Sequence, residues 1–414
     1  MATMHIAFLL NFAQPADQNV DVTKRIAREC YIPLSELFAC DLVPRFSLSI
    51  PNVLLSHLND TGQDGVIIPL LKKAMSEEKL EIVHSGAYSP IFPLLPEREV
   101  ERQIELDFEY KRRELALESR AGIYSPELCY EDSLLSLYER LGFRWTLIDD
   151  KLMQSVDVPI PQKEIYRVDG FSIFLRSSFW SDRIGAVGQR EGWRGRDFIA
   201  HLDEEMVGES DDCYRVFCLA GETFGHHIPY YHQTFLLDML YALRDSKHVR
   251  LCRVSDLLTT DSLAQIPKRE EIDKGFVYFP PSSAATQWEN YERGDPYPLW
   301  RSRKNPIHEA QWQLTGLVLE ATRGVNFGHG ENAELRRLLD RAFYSQQYYW
   351  ASIMNWQKGM KFIIHEGIDY QMRVLYKAVR MTDNQELFAR GTVLYTRLMR
   401  ELYRKDTNLD NLPS

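Results

Sequence analysis

Residues 81–117 read EIVHSGAYSPIFPLLPEREVERQIELDFEYKRRELAL: a short strand-like run, a loop rich in Gly and Pro, then a long amphipathic stretch. The same order recurs along the first two-thirds of the chain. HIAFLLNF (5–12), EIVHS (81–85), RWTLID (144–149), FSIFLR (171–176), RVFCLAG (215–221) and HVRLCRV (248–254) read as strands. Several are apolar on both faces, as parallel strands covered by helices must be. Helical patterns such as 97–117 and PYYHQTFLLDMLYALRD (229–245) lie between them. Repeated strand–helix alternation implies an α/β fold with a parallel sheet, open or closed into a barrel. In such folds the chemistry sits at the carboxyl ends of the strands.

From about residue 265 the texture changes. IPKREEIDKGFVYFPPSSAATQWENYERGDPYPLWRSRKNP reads as a long irregular connection, and everything after it is helical. Ala310, Leu314 and Leu317 keep one helix face; Leu335, Leu338, Ala342 and Gln346 a second; Ile368, Met372, Leu375 and Val379 a third; Leu387, Leu394 and Leu398 a fourth. The expected organisation is a strand–helix domain over 1–265, a connection over 266–305 that contributes to the cleft, a helical bundle over 306–405, and a frayed tail over 406–414.

Composition narrows the partners. Of 414 residues, 44% are apolar and 26% charged, the profile of an ordinary globular protein. With 49 basic against 59 acidic residues, the net charge of −10 argues against a nucleic acid or an anionic membrane. No stretch approaches the roughly 20 apolar residues of a membrane span, and MATMHIAFLLNFAQP has no basic region ahead of its apolar run. Cys30, Cys40, Cys129, Cys213, Cys218 and Cys252 show neither CxxC pairing nor zinc spacing, so free thiols and a cytoplasmic setting are expected. His5, His84, His226 and His227 are imidazole donors without an HxH or HExxH arrangement, so no metal or cofactor is expected. Aromatics at 12% suit either a large core or a cleft that stacks on flat ligands.

The strand exits hold the candidate site. Glu127 follows Pro126 between Tyr124 and Tyr130 in GIYSPELCY, and a carboxylate in such apolar company must be paired or used. Capping of a helix that starts near Asp132, or pairing with an Arg, is the equally weighted alternative. RVFCLAGETFGHH (215–227) breaks at Gly221, exposes Glu222 and ends in two histidines. Gln14, Arg176, Asp182 and His226 sit at exits with hydrogen-bonding groups; Tyr88, Trp288 and Trp350 offer stacking faces.

These segments, in this order, resemble glycoside hydrolase family 57, whose members are retaining enzymes acting mainly on α-glucans. NFAQP resembles its first segment, EIVHSGAYSPIFPLLP its second, GIYSPELCY its third and LAGETFGHH its fourth; LRSSFWSDRIG, RGDPYPLW and YSQQYYWAS extend the match. The resemblance implies an incomplete (β/α)7 barrel followed by a helical domain, an α-glucan or oligosaccharide ligand, and Glu127 as the nucleophile. It also gives weight to Trp350, whose helix closes over the cleft in that family. In a retaining mechanism a second carboxyl about 5 Å away protonates the leaving oxygen and then activates the acceptor. Water as acceptor gives hydrolysis and a sugar hydroxyl gives glucanotransfer.

Three positions depart from the family pattern. Ala13 stands where His or Tyr precedes Gln-Pro, Ser89 where His or Glu precedes Pro, and Ala220 where the family's acid Asp precedes Gly-Glu. Alanine cannot move a proton, and losing general acid assistance costs about 10²–10⁴-fold. Glu222, on the same strand face but about 6 to 7 Å further on, is the candidate substitute acid. Activity of this chain is therefore expected to be low or absent. The alternative is a non-catalytic pseudoenzyme that binds carbohydrate or a partner protein, and a metal-dependent deacetylase-like activity is a weaker third reading.

Overall fold

The computed structural model describes residues 2–152, 163–168, 170–187, 192–267, 279–327, 331–382 and 384–409. The described chain divides into two compact units, one of Met1–Gln14, Gln18–Ala87 and Phe92–Ala284, the other of Pro15–Asp17, Tyr88–Ile91 and Ala285–Ser414.

Seven strands of the first unit run parallel around a nearly closed sheet. They are β1 (Met4–Asn11), β2 (Phe46–Ser49), β3 (Leu80–Val83), β4 (Gly122–Ile123), β5 (Trp145–Asp149), β7 (Phe171–Arg176) and β8 (Cys213–Ala220). Between β3 and β4 the join is a single parallel bridge, His84 to Ile123, and β7 meets β8 only at Arg176 and Val216. β6 (Glu164–Val168) lies antiparallel on β7, β9 (Val249–Cys252) pairs with the first half of β1, and β10 (Ala264–Pro267) pairs with β6. The expected (β/α)7-type barrel is the architecture observed.

Alternation along the strands explains why the sheet curls around a core. Ala7, Leu9, Trp145, Leu147, Phe174, Tyr214, Val216 and Cys218 point into one buried cluster, while Ile6, Phe8, Leu10 and Phe217 pack outward against helices in another. With both faces covered, the strands read as continuous apolar runs rather than alternating ones. Residues 97–115 form a 19-residue helix that ends on Ala116 in the left-handed conformation. Within 229–245 the helix is broken: a π-helical turn at His232–Leu237 precedes a short α-helix at Asp238–Ala242. β2 and β6 are strands that the apolar-run reading did not mark, being short and carrying Ser47, Ser49, Glu164 and Arg167.

Helices Pro306–Thr322, Glu331–Ala342, Lys361–Thr382 and Gln385–Leu409 make up the second unit's bundle. The face drawn through Leu335, Leu338, Ala342 and Gln346 spans a helix end: one helix stops at Ala342 and a four-residue helix starts at Gln346. In the connection, Trp288–Glu292 is a short helix, and residues 268–278 lie outside the described residues, as do 410–414 of the tail. All six cysteines are free, four of them buried and Cys40 and Cys213 half-buried. No described helix is long and apolar enough to cross a membrane.

Candidate active site

Parallel pairing puts the strand exits at one end of the barrel. Asn11 stands level with Ser49 on one side and with Ala220 on the other, and Asp149 stands level with Arg176. Four residues beyond β4, Glu127 sits in a tight turn of its own. Glu127 and Leu128 both adopt left-handed backbone, at φ 59° and 55°, a region that residues other than Gly, Asn and Asp seldom enter. The turn closes through Leu128 N–H to the Ser125 carbonyl (2.9 Å) and Cys129 N–H to the Pro126 carbonyl (3.1 Å). Glu127 therefore does not cap the helix at Ser133–Arg140.

Glu127 is half-buried as a residue, and its carboxyl is surrounded by protein. Burial, and then the Glu222 carboxylate, push its pKa up to about 7. Among the described residues no cation or hydrogen-bond donor offsets this. The phenol of Tyr124 is raised well above its usual value by burial first and then by Cys218, Glu127 and Cys129, which places it in the same surroundings.

Ala220 ends β8 on the strand face that Tyr214, Val216 and Cys218 turn inward, and its side chain is exposed. Beyond it the chain must turn sharply: a Cβ on Gly221 would lie 2.3 Å from the Phe12 ring. The 3₁₀ turn Gly221–Phe224 then drives Glu222 inward rather than along the strand. Glu222 is only 3% exposed. Its Oε1 accepts from the Tyr31 hydroxyl at 2.5 Å, Ala13 N–H at 2.9 Å and Gln14 Nε2 at 3.4 Å. Burial raises the Glu222 pKa, and these donors pull the other way.

Of the residues singled out in the sequence, Gln14 and Glu222 meet directly, and Glu127 feels the Glu222 charge. Arg176 and Asp182 meet at 2.6 Å, but as part of an ion-pair lattice: Arg176 also reaches Asp149 at 2.7 Å and the Cys218 carbonyl at 2.8 Å. His226 turns to Glu29, 2.6 Å away, and His227 is exposed. Tyr88, Trp288 and Trp350 belong to the second unit, where Trp288 packs on Tyr291 and Trp350 meets Tyr349 edge-on. His5 pairs with Asp212, and His84 is buried beside Asp107. Among the described residues no three His, Cys, Asp or Glu side chains converge as a metal requires. Tyr31, Asp149 and Lys151 were not marked in the sequence. Tyr31 lies mid-helix in an unremarkable context, while Lys151 and Asp149, at the exit of β5, carried the same positional signal as Arg176.

The family model for glycosyl hydrolase family 57 matches residues 13–274, from the exit of β1 to beyond β10. The chain belongs to that family. An α-amylase of Pyrococcus horikoshii is 25% identical over 150 residues, which is 36% of this chain and 23% of that protein. Solved family 57 structures share the fold at low identity. The branching enzyme of Pyrococcus horikoshii superposes with a TM-score of 0.69 at 14% identity, covering 96% of this chain and 95% of that one. For the α-amylase of Thermotoga maritima the values are 0.66, 16%, 96% and 97%. The 4-α-glucanotransferase of Thermococcus litoralis gives 0.66 at 18%, covering 92% of this chain but 60% of that one.

Proposed function

We propose that this family 57 chain binds α-glucans at the mouth of its barrel, with Glu127 as the nucleophile of a retaining reaction whose general acid position is vacant. The observation that carries the reading is Glu127 itself: a carboxyl in a strained turn at a strand exit, with no cation among the described residues to neutralise it. Ordinary folding gives no reason to keep such a group; chemistry does.

Ala220 supplies no proton, and Glu222 is a poor substitute. Its Oε1 is held by three donors on a buried turn, which suits a fixed anion that shapes the β1 and β8 exits. Gln14, which bonds Tyr31 and Glu222 and accepts from Gln18 at 2.8 Å, likewise serves the scaffold before any sugar. Turnover of unactivated glucans is accordingly slow, whether water or a sugar hydroxyl is the acceptor. A non-catalytic glucan-binding role is the second reading, favoured by Ala13, Ser89 and Ala220 together.

Incubation with maltooligosaccharides separates the two. Release of reducing ends that is lost in Glu127→Gln and increased in Ala220→Asp supports the catalytic reading. Glucan binding without turnover in both wild type and Ala220→Asp supports the other.

A further inference from the structure

The strained turn at Glu127 is closed locally by three hydrogen bonds, the third from Ser125 Oγ to the Cys129 carbonyl at 2.5 Å. None of these uses the Glu127 carbonyl as its acceptor. Its partner comes from far along the sequence: Ala284 N–H donates to it at 3.0 Å, while Ser282 pairs with Tyr130 on the same segment. Ala284 is held in turn by its own carbonyl, which accepts from Lys151 Nζ at 3.0 Å. That ammonium also lies 3.0 Å from Asp182, which Arg176 grips at 2.6 Å. Lys151 N–H bonds Asp149 at 3.0 Å, so backbone and side chain of Lys151 both join the lattice. Arg176 completes the circuit at the Cys218 carbonyl, two residues before Ala220. One run of polar contacts thus links the exits of β5, β7 and β8 to the backbone of Glu127.

We propose that Lys151 is a positioning residue, whose Asp182-clamped ammonium braces the Ala284 segment and thereby fixes the left-handed turn that presents the Glu127 carboxyl. A residue in a sparsely populated backbone conformation persists only where its surroundings over-determine it. Rotation of the planar Glu127–Leu128 peptide would break the Ala284 bond together with the local bond from Leu128 N–H to the Ser125 carbonyl, so the long-range contact adds to the local closure of the turn. As a statement about the presentation of a nucleophile, this rests on the reading of Glu127 given above.

The test uses the full chain and a 5-fluoro-α-D-glucosyl fluoride. Its leaving fluoride departs with the C–F electron pair and needs no acid, so Ala220 does not limit the reaction as Glu127 bonds to the anomeric carbon. The expected result is one label on Glu127 of the wild type. In Lys151→Met the maximal labelling rate falls on the order of 10- to 100-fold, as for a misplaced reacting group. The half-saturating concentration and the final stoichiometry are unchanged, and Lys151→Arg recovers part of the rate. General destabilisation would lower the stoichiometry instead. Amide exchange, read in parallel, accelerates in Lys151→Met at residues 282–285 and 127–130. Labelling of Lys151→Met at the wild-type rate, or unchanged exchange, overturns the proposal. If the wild type takes no label, the nucleophile reading fails, and exchange alone decides the brace: faster exchange in Lys151→Met upholds it, and unchanged exchange removes it.

Discussion

Glu127→Gln should make the protein more stable, and should do so only at neutral and alkaline pH. The Glu127 pKa rises from 4.5 to about 7 in the folded chain because burial and the Glu222 carboxylate both oppose its ionisation. Between these values the folded state holds a proton that the unfolded state has released, so stability falls as pH rises through that window. The loss is complete above about pH 7. At about 1.4 kcal/mol per pH unit the full penalty is roughly 3 kcal/mol, and at pH 5 it is under about 1 kcal/mol. Because Glu127 keeps some exposure, the upper figure is a ceiling. Glutamine has the same shape and no charge, so it removes the penalty at pH 8 and changes little at pH 5. Denaturant titration or thermal melting of both proteins at pH 5 and pH 8 measures the difference, expected as a gain of about 1.5–3 kcal/mol at pH 8 and less than about 1 at pH 5. Equal stability at pH 8, or the same gain at both pH values, would mean that a counter-charge reaches Glu127, and the account of this site as an uncompensated carboxyl would be wrong.

Other consequences are as direct. Labelling of Glu127 by an acid-independent glycosyl fluoride should rise with pH and level off above about 7, because only the carboxylate attacks; a flat profile from pH 5 to 8 would contradict this. Ala220→Asp should raise the rate on maltooligosaccharides by about 10²–10⁴-fold, the usual worth of general acid assistance, and azide or formate should speed turnover of activated substrates in the unmodified chain by attacking the anomeric carbon and displacing the Glu127 carboxylate, a step that needs no general base. Arg176→Met should destabilise by about 3–5 kcal/mol, since it leaves Asp149 buried without its partner. Arg176→Lys should recover little, because one ammonium cannot serve Asp149, Asp182 and the Cys218 carbonyl together; denaturation midpoints check both. Tyr31→Phe should cost roughly 1.5–3 kcal/mol by removing a short hydrogen bond to a buried carboxyl, and a neutral result would mean that water fills the gap.

The barrel was legible because its signal is repeated. Runs such as HIAFLLNF and RVFCLAG are apolar on both faces, and their alternation with amphipathic helical stretches points to a parallel sheet covered by helices. β2 escaped because four residues with two serines show no apolar run; its serines are buried through neighbours distant in sequence, such as Glu81, which accepts from Ser47 at 2.5 Å. The candidate site could be read where a polar group stands at a strand exit, and not where its partner comes from elsewhere in the chain. Glu127 could be picked out because Pro, Tyr and Leu around it offer no counter-charge. Neither the turn that holds it nor its tie to Ala284, 157 positions on, has any local mark. Glu222 shows the opposite case: its place two residues past Ala220 suggested a second acid, and only the fold, by bringing Tyr31 and Ala13 against it, shows a carboxylate already engaged.

The segment LAGETFGHH therefore separates into residues that make the shape and one residue that would make the chemistry. Gly221 is required because Phe12 leaves no room for a Cβ, and Gly225 because a Cβ there would fall 2.0 Å from the Glu29 carbonyl. Glu222 ties the β1 exit to the β8 exit. Ala220 does none of this: its methyl is exposed, and its backbone pairs with Asn11 whatever side chain it carries. Substitution there should shift stability by no more than about 0.5 kcal/mol, as for exposed positions generally, while changing turnover by orders of magnitude. A fold so arranged would tolerate either Ala or an acid at position 220 without a change of form. Family membership rests on the match over residues 13–274 and stands whichever residue holds position 220; the effect of that position on turnover is what the Ala220→Asp comparison measures.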